Sequence, residues 1–300
     1  MDKVNTLPNL FIVGAAKSGT TSLHNYLNQH PEVFMCTPKE PHFLIVNKVG
    51  KQRFLNGIKN IIDYKALFSG TEKYKFRGES SVMYLLFPEI AIKNIKHILG
   101  DKTKVIIMLR NPVERAYSGY QHVKRFNIQE DILDFKTAWD ISEKRYFENK
   151  EMTPASRYRE LGLYYKQVET FLKQIKNIHI IIYDDYKKNF EREMNKVFDF
   201  LGIEKIKINT EKRHMVGDWQ WKNEKMKQLM IQQSSLKKAV KILIPFKGIR
   251  KKIRKKIQKE NTSQVSKMNN DDRKMLKKFY KEDVKKLSKL IGRNLNYWVQ

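Results

Sequence analysis

The chain has 300 residues, 41% of them hydrophobic, which is ample for a buried core and incompatible with a disordered polymer. Its formal charge of +28 attracts polyanions (nucleic acid, anionic lipid or an acidic substrate) without choosing among them. One cysteine, Cys36, excludes an intrachain disulfide and a cysteine-rich metal site, and is expected to be a buried thiol in a reducing compartment.

Leu10-Phe11-Ile12-Val13 is a short apolar run of the kind found in a buried parallel strand. It is too short for a signal peptide and lacks a basic lead. Gly14–Gly19 is small and flexible, and Thr20 or Thr21 can cap a helix carrying Leu23, Tyr26 and Leu27, which His30-Pro31 ends. Val105–Leu109 is a second buried strand with Arg110 at its end, and Asn111-Pro112 supplies a cap and an N1 proline to the next helix. The spacing of Tyr158, Leu161, Tyr165, Val168, Leu172 and Ile175 predicts a helix over 157–176, leading into a third strand, Ile178–Tyr183. The helix after it stops at Leu201-Gly202. From 218 to 270 the chain turns strongly basic, and Leu236, Ala239, Val240 and Leu243, then Ile249, Ile253 and Ile257, keep helical spacing. A last amphipathic helix is expected over Asp271–Ile291. Strands alternating with helices argue for a three-layer α/β/α domain around a mostly parallel sheet, with ligands outside the strands' carboxyl ends. One domain over 1–300 is expected, its core at about 7–205 and 268–298 and a basic helical insertion at about 218–267. No run approaches the ~18 apolar residues of a spanning helix, so a soluble, cytoplasmic chain is expected.

The first strand–helix turn nearly spells a phosphate loop. In G-x-x-x-x-G-K-S/T the lysine follows the second glycine. Gly14 and Gly19 have that spacing, but Lys17 lies between them and Thr20 takes the lysine's place. The fold is therefore P-loop-like with an altered loop, which argues against a small-molecule kinase. Amides from Ala15 to Thr21 at a helix N-terminus favour an anion, and Lys17 with the hydroxyls of Ser18, Thr20, Thr21 and Ser22 adds charge and donors. Arg110 beside a helix carrying Ser118 suits a terminal phosphate. Two phosphate sites at one sheet edge suggest a nucleotide phosphorylated at both ends of its ribose.

Together the two motifs carry a specific resemblance. "AAKSGTTSL" is similar to the 5′-phosphosulfate loop of sulfotransferases that use 3′-phosphoadenosine 5′-phosphosulfate (PAPS), and "LRNPVERAYSGY" resembles their 3′-phosphate motif, an arginine followed eight residues later by a serine. "PKEPHFL", "GESSVMYL" and "LIGRNLNYW" also fall where the family places related segments. The likeness is to the glycosaminoglycan (heparan sulfate)-type branch and related bacterial proteins. It implies transfer of a sulfuryl group from PAPS to a hydroxyl or amine of an acceptor such as a carbohydrate or glycolipid, with no metal required. By that resemblance Lys17, Glu40 and His42 are catalytic: Glu40 is the base, Lys17 stabilises the leaving group, and Glu40 and His42 also line the acceptor site. Ala16, Lys17, Ser18, Gly19, Thr20, Thr21, Ser22, Arg110 and Ser118 hold the nucleotide, helped by Lys212 and Arg213. Glu79 lies on the acceptor side. A base active near neutrality wants a raised pKa, which burial beside His42 and Phe43 is expected to supply. Ser80 and Val82 stand where heparan 3-O-sulfotransferases carry a catalytic lysine and a proline, so their sugar specificity is not carried over. Arg115 is either a helix-surface charge or a second cofactor contact.

The basic stretch 236–259 has three readings: a solvated helical face, docking on an anionic membrane at its inner face, or recognition of an acidic glycan. No helix-turn-helix, zinc or RNP-type motif supports specific nucleic-acid binding.

Overall fold

The computed structural model describes residues 7–100, 102–127, 129–211, 219–231 and 246–300. Strand β1 (Leu10–Gly14) has no exposed residue and leads through a loop into α1 (Thr20–Leu27). Then come β2 (Val33–Met35), α2 (Phe43–Val49), α3 (Ile61–Ala66), β3 (Phe76–Ser80) and α4 (Pro88–Leu99). Next are β4 (Lys104–Leu109), α5 (Pro112–Phe126), α6 (Phe135–Asp140), α7 (Ser142–Glu148), α8 (Tyr164–Gln174), β5 (Ile178–Ile182), α9 (Tyr183–Lys188) and α10 (Phe190–Leu201). The described chain closes with β6 (Trp219–Trp221), α11 (Glu224–Ile231), α12 (Lys247–Glu260), β7 (Thr262–Gln264) and α13 (Asn270–Leu290).

Five strands form one sheet in the order β2-β3-β1-β4-β5, every pair parallel. All five carboxyl ends therefore share one edge. Strand order reverses at β1, with β3 on one side and β4 on the other, which opens a crevice between the loops after β1 and β4. Alternate residues feed opposite faces. Phe11, Val13, Val105, Ile107 and Leu109 join the core under α5, α8 and α13, while Leu10, Ile12, Ile106, Met108 and Ile181 pack with α1 and α10. Each such fully buried side chain contributes about 1.5–3 kcal/mol. The three-layer α/β/α expectation holds.

Asn111 caps α5 by accepting the Val113 N–H, with Pro112 in the first turn, and α10 stops at Leu201 before Gly202, both as expected. The expected helix over 157–176 is shorter. Two 3-10 turns, Pro154–Ser156 and Glu160–Gly162, precede α8. Gly162 explains the delay, because a Cβ there would lie 2.6 Å from the Tyr280 ring and hydroxyl. The chain passes close under Tyr280, which bonds the Tyr158 and Arg159 carbonyls at 3.0 and 3.2 Å, before helix can begin. The basic stretch contains a feature its composition hides: β6 and β7 pair antiparallel on either side of it. Of its two helical patterns, the one at 247–260 forms α12, and Leu236, Ala239, Val240 and Leu243 lie outside the described residues. Among the described residues no helix is long and apolar enough to cross a membrane.

Candidate active site

Between β1 and α1 the backbone turns through Lys17 at φ 66° and Gly19 at φ 94°. Glycine takes the second of these without strain, and a Cβ there would also meet the Tyr183 ring at 3.0 Å. The anion cradle begins one residue later than expected, because the Ala15 N–H is taken by the Met108 carbonyl at 2.6 Å. Among the described residues, the amides of Ala16, Lys17 and Gly19 donate to no protein acceptor. Gly19, not Thr20 or Thr21, is the N-cap, so no threonine hydroxyl is used in capping. Ser18 and Thr20 are buried, while Lys17, Thr21 and Ser22 are half-buried around the turn. Unsatisfied amides at a helix N-terminus suit a phosphate. Lys17 is placed to match. Burial first, then the Arg125 and Arg110 charges, pull its ammonium down to about 8, with Glu40 opposing. Neither Lys17 nor Arg110 has a carboxylate in ion-pair contact among the described residues, and a dianion would relieve this crowding of positive charge.

Arg110 joins the two halves of the crevice. Its Nη1 donates to the Lys17 carbonyl at 3.1 Å, and its guanidinium lies 5.2 Å from the centre of the Tyr183 ring. Its own carbonyl accepts from the Tyr164 hydroxyl at 3.0 Å. The next residue, Asn111, donates to the Trp298 carbonyl at 3.2 Å, and the buried Trp298 indole donates to Asp184 at 2.7 Å. The segment after α13 thus braces the Arg110 turn from behind. Ser118 is half-buried two turns into α5.

Glu40 lies across the crevice with its side chain 24% exposed. Its Oε1 is 3.0 Å from Lys39 Nζ, and its Oε2 is 3.2 Å from His42 Nε2 and accepts the Val82 N–H at 3.2 Å. These contacts reverse the expected pKa shift. Burial does push the carboxyl up, but Lys39, His42 and the Val82 amide together outweigh it and hold Glu40 below its usual range. Phe43 stacks on Tyr64, with ring centroids 4.2 Å apart. His42 itself is left-handed, at φ 53°, with its ring 4.6 Å from that of Phe54. Burial lowers its pKa against the pull of Glu40, which favours the neutral imidazole, with Nε2 3.2 Å from the carboxylate oxygen.

Two further expectations are corrected. Glu79 is wholly enclosed and accepts from Tyr64, Ser81 and Tyr84, so it faces hydroxyls beneath the cleft and not an acceptor. Arg115 is likewise fully buried, donating to the Tyr158 carbonyl at 2.5 Å, and is neither a surface charge nor open to a cofactor. Lys212 and Arg213 lie outside the described residues.

The structure adds residues that sequence reasoning passed over. His122 and Arg125 follow Ser118 on one face of α5, at the i+4 and i+7 spacing that could have revealed them. His122 has its pKa pulled down to about 3 by burial, then by the Lys17 and Arg125 charges. His24 donates or accepts at Ser80 across 2.8 Å and is lowered to about 4 by burial and then Lys39. Arg125 donates to the Trp219 carbonyl at 2.6 Å and lies over that ring, so the β6–β7 pair packs against the end of α5.

Comparison with known proteins gives the family. Human carbohydrate sulfotransferase 15 is 26% identical over 250 residues, covering 67% of this chain and 45% of that protein. The human bifunctional heparan sulfate N-deacetylase/N-sulfotransferase 1 is 28% identical over 208 residues, covering 65% of this chain and 22% of that protein. The chain thus spans less than half the length of these curated relatives. Among solved structures, a sulfotransferase from Alicyclobacillus acidocaldarius superposes with a TM-score of 0.73 at 26% identity, covering 98% of this chain and 99% of that one. The sequence pattern of the sulfotransferase domain runs from residue 7 to residue 288 and so takes in the phosphate loop, the Glu40 turn and the Arg110 helix together; the chain belongs to that family.

Proposed function

We propose that the chain is a sulfotransferase that moves the sulfuryl group of PAPS to a hydroxyl or amine of a carbohydrate or glycolipid acceptor. The observation that carries this is the direct bond from Arg110 to the Lys17 carbonyl, which couples two anion cradles at one sheet edge beside a carboxylate. PAPS supplies the activated sulfuryl group. The amides of Ala16 to Gly19, the hydroxyls of Ser18, Thr20, Thr21 and Ser22, and Lys17 would hold its 5′ side. Arg110 and Ser118, with Lys212 and Arg213, would hold the 3′-phosphate and so distinguish PAPS from ATP. Glu40 takes the proton of the attacking hydroxyl, while Lys17 stabilises charge gathering on the departing phosphate oxygen. Held below the usual carboxylate range, Glu40 is ionised at neutral pH and is always ready to accept that proton. His42 keeps Oε2 aimed, and Lys39 keeps Oε1.

Labelled PAPS offered with a panel of saccharide and glycolipid acceptors, read by mass spectrometry, tests the reaction. Glu40→Gln should lower turnover by roughly 10²–10⁴-fold with 3′-phosphoadenosine 5′-phosphate (PAP) still bound. Full activity in that variant removes Glu40 as base, and PAP binding indifferent to Lys17→Ala combined with Arg110→Ala sinks the donor assignment.

A peripheral contact with anionic membrane, and with it a cytoplasmic location at the inner face, is the second part of the proposal. Helix α12 carries eight Lys or Arg against one Glu, and Phe246, Ile249 and Ile253 at its start are 68%, 48% and 42% exposed. Aliphatic groups open to water among lysines fit a headgroup boundary better than a glycan. Co-sedimentation with phosphatidylserine but not phosphatidylcholine vesicles is expected, and binding independent of lipid charge rejects it.

A further inference from the structure

Beneath Glu40 lies a second carboxylate. Glu79, fully enclosed at the end of β3, accepts hydroxyl bonds from Tyr64 at 2.7 Å, Ser81 at 2.8 Å and Tyr84 at 2.9 Å. Two of those hydroxyls serve a second partner. Ser81 Oγ accepts the His42 N–H at 3.0 Å, and the Tyr84 oxygen accepts the Leu44 N–H at 3.3 Å. Both amides belong to the start of α2, where no intrahelical acceptor exists. A hydroxyl has one proton, so donating it to Glu79 leaves its lone pairs for α2. Glu79 therefore decides which way Ser81 and Tyr84 point.

The consequence is felt at His42. Its left-handed backbone is held only by its surroundings, and its ring contacts Glu40 Oε2 at 3.2 Å. The Val82 amide bonds the same oxygen. The segment 79–82 thus grips the Glu40–Leu44 turn from below by one side chain and one backbone amide. We propose, taking Glu40 as the base, that Glu79 is a positioning residue for it: by orienting the Ser81 hydroxyl it fixes the His42 backbone, and with it the contact that aims the Glu40 carboxylate.

Charge links the two carboxylates as well. Glu79 is faced by Tyr64 of α3, by Tyr84, by Cys36 and, farther off, by Glu40. Glu40 is faced by Lys39 and His42, with Lys17, His24 and His122 around the crevice. Burial lifts Glu79 to about 7 against its three hydroxyl donors. As Glu79 ionises, repulsion strengthens the hold of Glu40 on a proton.

The test follows the Glu40 side-chain carboxyl carbon by NMR in the full chain, labelled with carbon-13 glutamate, with PAP present. Glu40→Gln assigns the signal. In the wild type the main inflection lies below the usual carboxylate range, and a smaller second shift accompanies Glu79 at about pH 7. Glu79→Gln should remove the second shift. Ser81→Ala keeps the Glu79 charge but cuts its link to His42, and should move the main inflection up toward the ordinary range. A Glu40 signal that titrates as in the wild type in both variants, with cooperative melting retained, overturns the proposal and leaves Glu79 a packing residue. Should Glu79→Gln fail to fold, Ser81→Ala decides alone. Absence of PAP binding in the wild type would count against the donor assignment instead, and the same titration of the unliganded chain still decides the role of Glu79.

Discussion

Replacing Lys17 with methionine should make the unliganded protein more stable while costing it the anion. Burial and then the Arg125 and Arg110 charges bring the Lys17 ammonium from 10.5 to about 8. At about 1.4 kcal/mol per pKa unit this is roughly 3 kcal/mol of unfavourable work on the charged form. Lys17 is half-buried, so solvent screens part of it and the expected gain at neutral pH is about 1–2 kcal/mol. The unfolded chain keeps the lysine proton up to its ordinary 10.5, the folded one only to about 8. Between those values the unfolded state binds more protons, so wild-type stability rises with pH there, and the full cost of the charge is felt below. Methionine is of similar length and takes the left-handed turn at φ 66° no better than lysine, so backbone strain cancels in the comparison. Urea unfolding of both proteins at about pH 7 and about pH 10, with and without PAP, reads the effect directly. The variant should lead at the lower pH, the gap should close at the higher, and PAP should stabilise only the wild type. An unliganded variant no more stable than the wild type at neutral pH, or a gap that ignores pH, refutes the reasoning.

Arg110→Ala should weaken PAP binding by roughly 10–100-fold, the worth of charged hydrogen bonds, and leave adenosine 5′-phosphate nearly unaffected, as calorimetry would measure. Equal losses for both nucleotides would mean that Arg110 acts through the Lys17 carbonyl and not on a 3′-phosphate. Gly162→Ala should destabilise the fold by about 1–3 kcal/mol through collision with Tyr280, and Tyr280→Leu in the same chain should recover part of it. An unchanged urea midpoint in the single variant would show that the 160–163 turn can move aside.

How much was legible varies with how local the cause is. β1 and β4 announce themselves as apolar runs because each is buried on both faces, and β5, a half-buried edge strand, reads as one because four of its five residues are isoleucine. β3 does not. Its sequence, Phe76-Arg77-Gly78-Glu79-Ser80, lacks an apolar run, and it is a strand because β1 and β2 flank it and Gly78 lets the Met35 sulfur sit where a Cβ would be, at 2.3 Å. The phosphate loop and the Arg110 helix are readable because each packs its donors within one short segment. The surroundings of Glu40 are not, since its state depends on a turn that brings Lys39, His42 and the distant Val82 amide onto one carboxylate. The enclosure of Glu79 depends in the same way on tyrosines from two other elements.

The brace between Asn111 and Trp298 has a bearing on synthesis. Proteins leave the ribosome amino end first, so the phosphate loop and the Arg110 helix emerge long before the tryptophan that backs them. Until Trp298 arrives and reaches Asp184, the second cradle lacks its rear wall. The turn that carries Arg110 is therefore braced only once a residue 187 positions beyond Asn111 has been made.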